Sequence, residues 1–227
     1  MGEGLGEEGS EAEAVALRLY RELVETLLPR LRGVRDETRR FLLLLAWLNT
    51  RLEELGLGRV IVTGGFAVEV YTGRVYRTMD VDVIVEGRGA LRVIEKLLSM
   101  VSEPIGRGYL PREEALSLKS IDIVSTLYDR GAAPVKILVD GYYVYVEPPE
   151  ELVVRYLAGW KFWGSREDRD KALWVYTVWR DRLDQEYLRR RAREEGVEDK
   201  LRELASFVES SASATAPSRE RGTAREE

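Results

Sequence analysis

Two residue types are missing altogether from this 227-residue chain: it has no cysteine and no histidine. The first absence rules out disulfides and thiolate metal sites. The second removes the usual general base and the commonest zinc ligand. A metal here would be held by oxygen, which favours magnesium or manganese, and a catalytic base would be Asp, Glu, Lys or Tyr. Side-chain amides are scarce, with only Asn49 and Gln185; together with the dense charge this suggests a thermophilic source. No apolar run reaches the roughly 18 residues of a membrane span. The start, MGEGLGEEGS, lacks the basic residues and apolar centre of a signal peptide, so a cytoplasmic location is expected. The net charge of −5 is carried by the first fourteen residues, which hold five Glu and no base. The rest of the chain is balanced, which neither favours nor forbids an RNA partner.

What is present is an alternation of helical and strand patterns. Apolar residues make up 44% of the chain, enough for a real core. Residues 1–9 read as disordered. Ser10 and Glu13 fit a capping box, and Leu17, Tyr20, Leu23, Val24, Leu27 and Leu28 keep helical spacing up to a stop near Pro29. A second helix is predicted from Asp36 to Leu55. Its centre, Phe41 to Leu48, is apolar on every side, so it is either buried or covered by a partner, a second copy included. Strands are predicted at Arg59–Thr63, Met79–Val85, Ser120–Ser125, Val135–Val139 and Tyr142–Val146, with short helices at Phe66–Tyr71 and Ala90–Val101 between them. Ser102–Glu114, with two Pro and two Gly, reads as a loop. Pro148-Pro149-Glu150-Glu151 opens a helix to about Phe162, Gly164-Ser165 breaks it, and further helices run from Glu167 towards Glu195 and from Glu198 to Val208. The expected organisation is N-terminal helices over 10–56, an α/β core with a mixed sheet of about five strands over 57–147, C-terminal helices over 148–208 and a disordered tail over 209–227.

Chemistry concentrates between Val60 and Val85. In a strand, residues i and i+2 share a face, so Asp80 and Asp82 project together while Val81 and Val83 pack behind. Two carboxylates so close repel unless a cation sits between them; the alternative is an edge strand with a solvated polar face. Gly64-Gly65 follows a strand and opens a helix, where bare backbone amides approach a phosphate and the helix dipole favours it. Neither a Walker P-loop nor GxGxxG is present. Asp122, between Ile121 and Ile123, needs a partner inside an apolar strand: it completes a three-acid cluster or pairs with a nearby base. Arg74 and Arg77 suit a triphosphate or are surface charges. Lys161, Arg166, Arg169 and Lys171 surround the Gly164-Ser165 break and suit phosphate or ordinary ion pairs with Asp168 and Asp170. Tyr156, Trp160 and Trp163 form a helical stripe that either stacks on a base or packs in the core.

This order of an apolar strand, a Gly-Gly turn, Asp80-Val81-Asp82 and a later strand acid, Asp122, resembles the polymerase-β-like nucleotidyltransferase superfamily. Tyr76–Val83, YRTMDVDV, is further similar to the minimal nucleotidyltransferases of the abortive-infection and toxin–antitoxin type, as is PPEELVVRYL. The resemblance implies that Asp80, Asp82 and Asp122 bind Mg2+ or Mn2+ and carry catalysis, with Asp122 taking the proton of the attacking hydroxyl. It implies that Thr63, Gly64, Gly65, Arg74, Arg77 and Lys161 hold a nucleoside triphosphate. The activity implied is transfer of a nucleoside monophosphate to a hydroxyl of RNA, such as tRNA, or of a protein. Where the family more often has serine, this chain has Gly65, which keeps a non-catalytic nucleotide- or partner-binding relative as the alternative.

Overall fold

The leucine-rich helix is the wall on which the sheet is built. In a computed structural model describing residues 3–215 apart from Arg74, with side chains from Gly9 to Ser211, this helix is α3, Glu37–Glu54. Asp36 caps it by accepting the Arg39 N–H. Its Phe41 and Leu43–Leu48 are buried by the chain's own elements. Of the two covers expected, burial or a partner, the described residues supply the first: the helix is apolar all round because sheet and helices of the same chain enclose it. In front of it lie α1 (Glu3–Glu22), a π-helical turn (Leu23–Leu27) and α2 (Leu28–Gly33). The chain was expected to break near Pro29. It continues because the widened turn, where the Leu28 N–H bonds Leu23 O, absorbs the proline's missing donor and its clash with the preceding turn. Helix α1 also begins inside the segment expected to be disordered, so Ser10 lies within it rather than capping it. Residues 1 and 2 lie outside the described residues.

Among the described residues seven strands form one sheet, where about five were expected: β1 (Arg59–Val62), β2 (Asp80–Glu86), β3 (Ser102–Ile105), β4 (Gly108–Pro111), β5 (Ser120–Ser125), β6 (Val135–Val139) and β7 (Tyr142–Val146), in the order β3-β4-β5-β2-β1-β7-β6. The additional pair is a hairpin in the Ser102–Glu114 segment. Pro104 is tolerated because β3 is an edge strand, and Gly106 supplies the left-handed turn at φ 56°. The sheet is mixed: β1 pairs antiparallel with β2 and parallel with β7, and β2 pairs parallel with β5. Val60, Val83 and Ile121 meet Leu44, Leu48, Ile94 and Leu97 around a small apolar cavity, so this face is packed by α3 and α5 (Arg88–Val101). The acids of β2 and β5 therefore face the other way.

Asn49, the only asparagine, is fully buried and holds the sheet where its ladder opens. Its Oδ1 accepts the Val60 N–H at 2.8 Å and its Nδ2 donates to Tyr143 O at 3.1 Å, bridging β1 and β7. Replacing it with leucine strands the Val60 N–H and leaves Tyr143 O only the longer contact from Thr50 Oγ1 at 3.4 Å, and we expect a loss of about 2–4 kcal/mol. A urea midpoint that falls with unchanged slope is the measurement; an unaltered midpoint would refute the bridge.

Helix α4 (Gly64–Thr72) joins β1 to β2, and after the last strand come α6 (Pro149–Trp163), α7 (Arg166–Trp179), α8 (Gln185–Glu194) and α9 (Glu198–Thr215). The long helix expected from Glu167 is split in two, because Asp184 turns to cap α8 by accepting the Glu186 and Tyr187 N–H groups. Helix α9 outlasts its expected end at Val208. Of the tail expected to be disordered, 209–215 is helical, and 216–227 lies outside the described residues. No helix of the described residues is long and apolar enough to cross a membrane.

Candidate active site

The parallel register of β2 and β5 sets Asp82 directly beside Asp122 and Asp80 beside Ser120. Alternation along β2 adds Asp80 to the same face. The result is a cluster in which one carboxylate oxygen from each of Asp80, Asp82 and Asp122 lies within 4.8 Å of the others, all three half-buried. Burial, then repulsion from Asp80 and Asp122, pushes the Asp82 carboxyl up to about 6; Arg155 and the Gly65 N–H pull the other way. Asp122 Oδ1 is buried and has no hydrogen-bond partner among the described residues. An acceptor oxygen in that condition, within an all-oxygen donor set, fits a hard divalent cation such as Mg2+ or Mn2+.

Gly64-Gly65 stands against this cluster. Thr63 is extended at φ −138°, and Gly64 turns the chain into α4 at φ 64°. A Cβ on Gly64 would overlap Asp82 Oδ2 and stand 2.6 Å from the carboxyl carbon, so glycine is required twice over, by backbone and by contact. Gly65 donates its N–H to Asp82. A Cβ there would lie 3.0 Å from Thr78 Oγ1 and 3.4 Å from Tyr76 OH. Those two hydroxyls fill the space a serine side chain would take, which accounts for glycine at this position.

The remaining expected residues divide. Thr63 is buried: its hydroxyl donates to the Glu147 carboxylate and accepts from Arg155 Nη1 at 3.2 Å. Arg77 is drawn to Glu37 at 2.6 Å. Lys161 is engaged far along the chain, donating to Gly196 O at 2.7 Å and Asp199 at 2.6 Å, where it ties α6 to the start of α9. Arg74 lies outside the described residues. Trp160 packs under Lys200 and Trp163 is 81% exposed, so the stripe splits, with only Tyr156 buried.

Two residues at the site carried no signal of their own in the sequence. Glu147 follows β7 and is wholly buried beside Thr63, since its N–H continues the parallel ladder to Val62 O. It receives Arg130 Nε at 2.8 Å and has Arg155 Nη2 at 3.1 Å. That Nη2 contact is off-axis: Arg155 Nε and Nη2 are buried without a hydrogen bond among the described residues. Arg155 is thus a guanidinium held on α6 near Asp82, stacked on Tyr156 at 5.1 Å, with buried donors to spare. Lys171 of α7 lies 5.2 Å from the centre of the same ring. The helical segment thereby presents Arg155 to the acids, while Lys171 is paired with Glu167 at 2.8 Å.

Neither protein-family models nor curated proteins match the sequence. Solved structures match in fold. An antigenic nucleotidyltransferase-like protein from Paracoccidioides brasiliensis is 17% identical, covering 77% of this chain and 93% of its own, at a TM-score of 0.53. The antibiotic-resistance factor ANT(2'')-Ia is similar in its solution structure, at 16% identity over 75% of this chain and 96% of its own with a TM-score of 0.40. Its crystal structure with adenylyl-2''-tobramycin gives 15% identity over 65% and 92%, with a TM-score of 0.42. At 17% identity, the likeness to the first of these is one of fold. The chain has the fold of a nucleotidyltransferase-like protein.

Proposed function

We propose that this protein is a metal-dependent nucleotidyltransferase, moving a nucleoside monophosphate from a nucleoside triphosphate to a hydroxyl. The observation that carries the reading is the convergence of Asp80, Asp82 and Asp122 beside the Gly64-Gly65 turn. Asp80, Asp82 and Asp122 would hold Mg2+ or Mn2+, which when bound supplies charge neutralisation at the phosphates and a more acidic acceptor hydroxyl. The Gly64-Gly65 turn, at the positive end of the α4 dipole, and the Arg155 guanidinium bind and orient the triphosphate. The acceptor oxygen bonds to the α-phosphorus, the bond from that phosphorus to the α–β bridging oxygen breaks, and pyrophosphate leaves. Asp122 takes the acceptor's proton. The acceptor we propose is the end of an RNA such as tRNA, or a protein hydroxyl, in a toxin–antitoxin setting suggested by the motif resemblance.

Incubation with each α-labelled nucleoside triphosphate, Mg2+ or Mn2+, and either total RNA or total protein tests this. Labelled acceptor and released pyrophosphate are expected, and neither from Asp80→Ala/Asp82→Ala protein. Release of phosphate instead would point to a hydrolase. Triphosphate binding that ignores both the metal and Asp80→Ala would leave a non-catalytic binder.

A further inference from the structure

A lysine with only 2% of its side chain exposed lies at the entrance to β5, three residues before Asp122. Lys119 Nζ pairs with Glu69 Oε2 at 2.9 Å, and Glu69, on α4, is wholly buried. Burying such a pair sacrifices the hydration of both ions, so its presence asks for a role beyond stability. The pair closes on one residue. Glu69 Oε2 accepts the Thr78 N–H at 3.0 Å, and Lys119 Nζ donates to Thr78 O. Thr78 is thus gripped at both backbone polar groups just before β2 begins. Its hydroxyl in turn donates to Asp80 Oδ1.

The surroundings extend the grip. Glu69 Oε1 accepts the Thr38 hydroxyl at 2.5 Å. Glu37 stands 3.6 Å from Lys119 and takes Arg77, the residue before Thr78, at 2.6 Å. Lys119 also lies over the Phe66 ring at 5.8 Å. One buried pair therefore joins the start of α3, the body of α4 and the two segments that lead into the acid-bearing strands.

We propose that the Glu69–Lys119 pair is a positioning device for the metal site: it locks Thr78 so that the Thr78 hydroxyl holds the Asp80 carboxylate in its ligating orientation. This rests on the reading of Asp80, Asp82 and Asp122 as metal ligands. A merely structural pair would have no reason to seize the residue whose hydroxyl holds Asp80. Partners that orient a ligating carboxylate typically change metal affinity by about 10–100-fold when removed.

The test is Mn2+ titration of the full chain, without nucleotide, read by the paramagnetic resonance signal of the free ion. Glu69→Met/Lys119→Met replaces both ions with apolar side chains of similar length, a change that commonly keeps the fold; its melting temperature is measured alongside. Mn2+ affinity is expected to fall about tenfold or more in this variant. Thr78→Val leaves the pair in place, removes only the hydroxyl and is expected to show the same loss, while Thr78→Ser keeps wild-type affinity. A folded double variant, or Thr78→Val, with wild-type affinity overturns the proposal. Should the double variant not fold, Thr78→Val decides alone. Asp80→Ala/Asp82→Ala reports on the other question: if it binds Mn2+ as tightly as wild type, the acid cluster is not the metal site, whatever Thr78 does.

Discussion

Asp82→Asn is expected to make the metal-free protein more stable while removing the proposed transfer activity. The carboxyl of Asp82 is pushed up from 3.8 to about 6, first by burial and then by Asp80 and Asp122. A folded state that raises an acid's pKa binds its proton more tightly than the unfolded chain does, so ionisation weakens the fold. The sign follows: this group's penalty is absent below about pH 4, grows between about pH 4 and 6, and is complete above. The full displacement corresponds to roughly 3 kcal/mol, and because solvent reaches part of the carboxylate, about 1 kcal/mol is the expected gain. Asparagine keeps an oxygen for the Gly65 N–H and drops the charge. Thermal melts in chelator should therefore separate variant from wild type near pH 8 and bring them together near pH 4. Adding Mn2+ near pH 8 should raise the melting temperature of wild type through linkage and leave the variant almost unmoved. Nucleotidyl transfer should fall on the order of 10³-fold, as for loss of a principal electrostatic element. A variant that melts lower than wild type in chelator at pH 8, with Mn2+ stabilising both alike, would mean that the three carboxylates do not share a cation.

The same residues show what a sequence can and cannot reveal. Asp80 and Asp82 were readable because a strand's period of two leaves acids on one face and valines on the other, and Asp122 stood out between two isoleucines. That Asp82 and Asp122 are direct neighbours is a matter of strand register, decided by β2 and β5 running parallel, and no local pattern encodes it. Glu69, Lys119 and Arg155 look in the sequence like ordinary charges on helix or loop. Their importance comes from burial among elements distant in the chain: Glu69 meets Lys119 across fifty residues. Lys161 was misleading for the same reason. A cation beside a helix break resembles a phosphate ligand until the carbonyl of Gly196 is seen to occupy it. The apolar Phe41–Leu48 stretch was correctly seen to need cover, but whether that cover came from its own chain or another was not local information.

The hairpin β3–β4 was the largest omission, and it leads to the second strong expectation. Prolines and glycines mask a strand pattern in Ser102–Glu114, because an edge hairpin needs few ladder bonds and tolerates them. Folded, it pairs with β5 at Tyr109 and Ile121, which brings Gly108 against Asp122. A Cβ on Gly108 would overlap Asp122 Oδ1 and stand 2.7 Å from the carboxyl carbon and 3.1 Å from Ile121 O. The conflict is with the unpartnered oxygen itself. Either Asp122 swings away from Asp80 and Asp82, or the hairpin shifts outward; β4 is joined to β5 through a single registered pair, so part of the strain can be relieved there. In both cases the carboxylate loses the wall that aims it. Gly108→Ala should thus lower Mn2+ affinity about tenfold or more and transfer activity on the order of 10²-fold, with stability reduced by about 1–3 kcal/mol, as for overpacking. The pairing Gly108→Ala/Asp122→Ala supplies the discriminating result. If the alanine acts only by displacing Asp122, adding it to Asp122→Ala changes activity no further. A second full loss in the double variant would show that Gly108 serves the strand and not the acid.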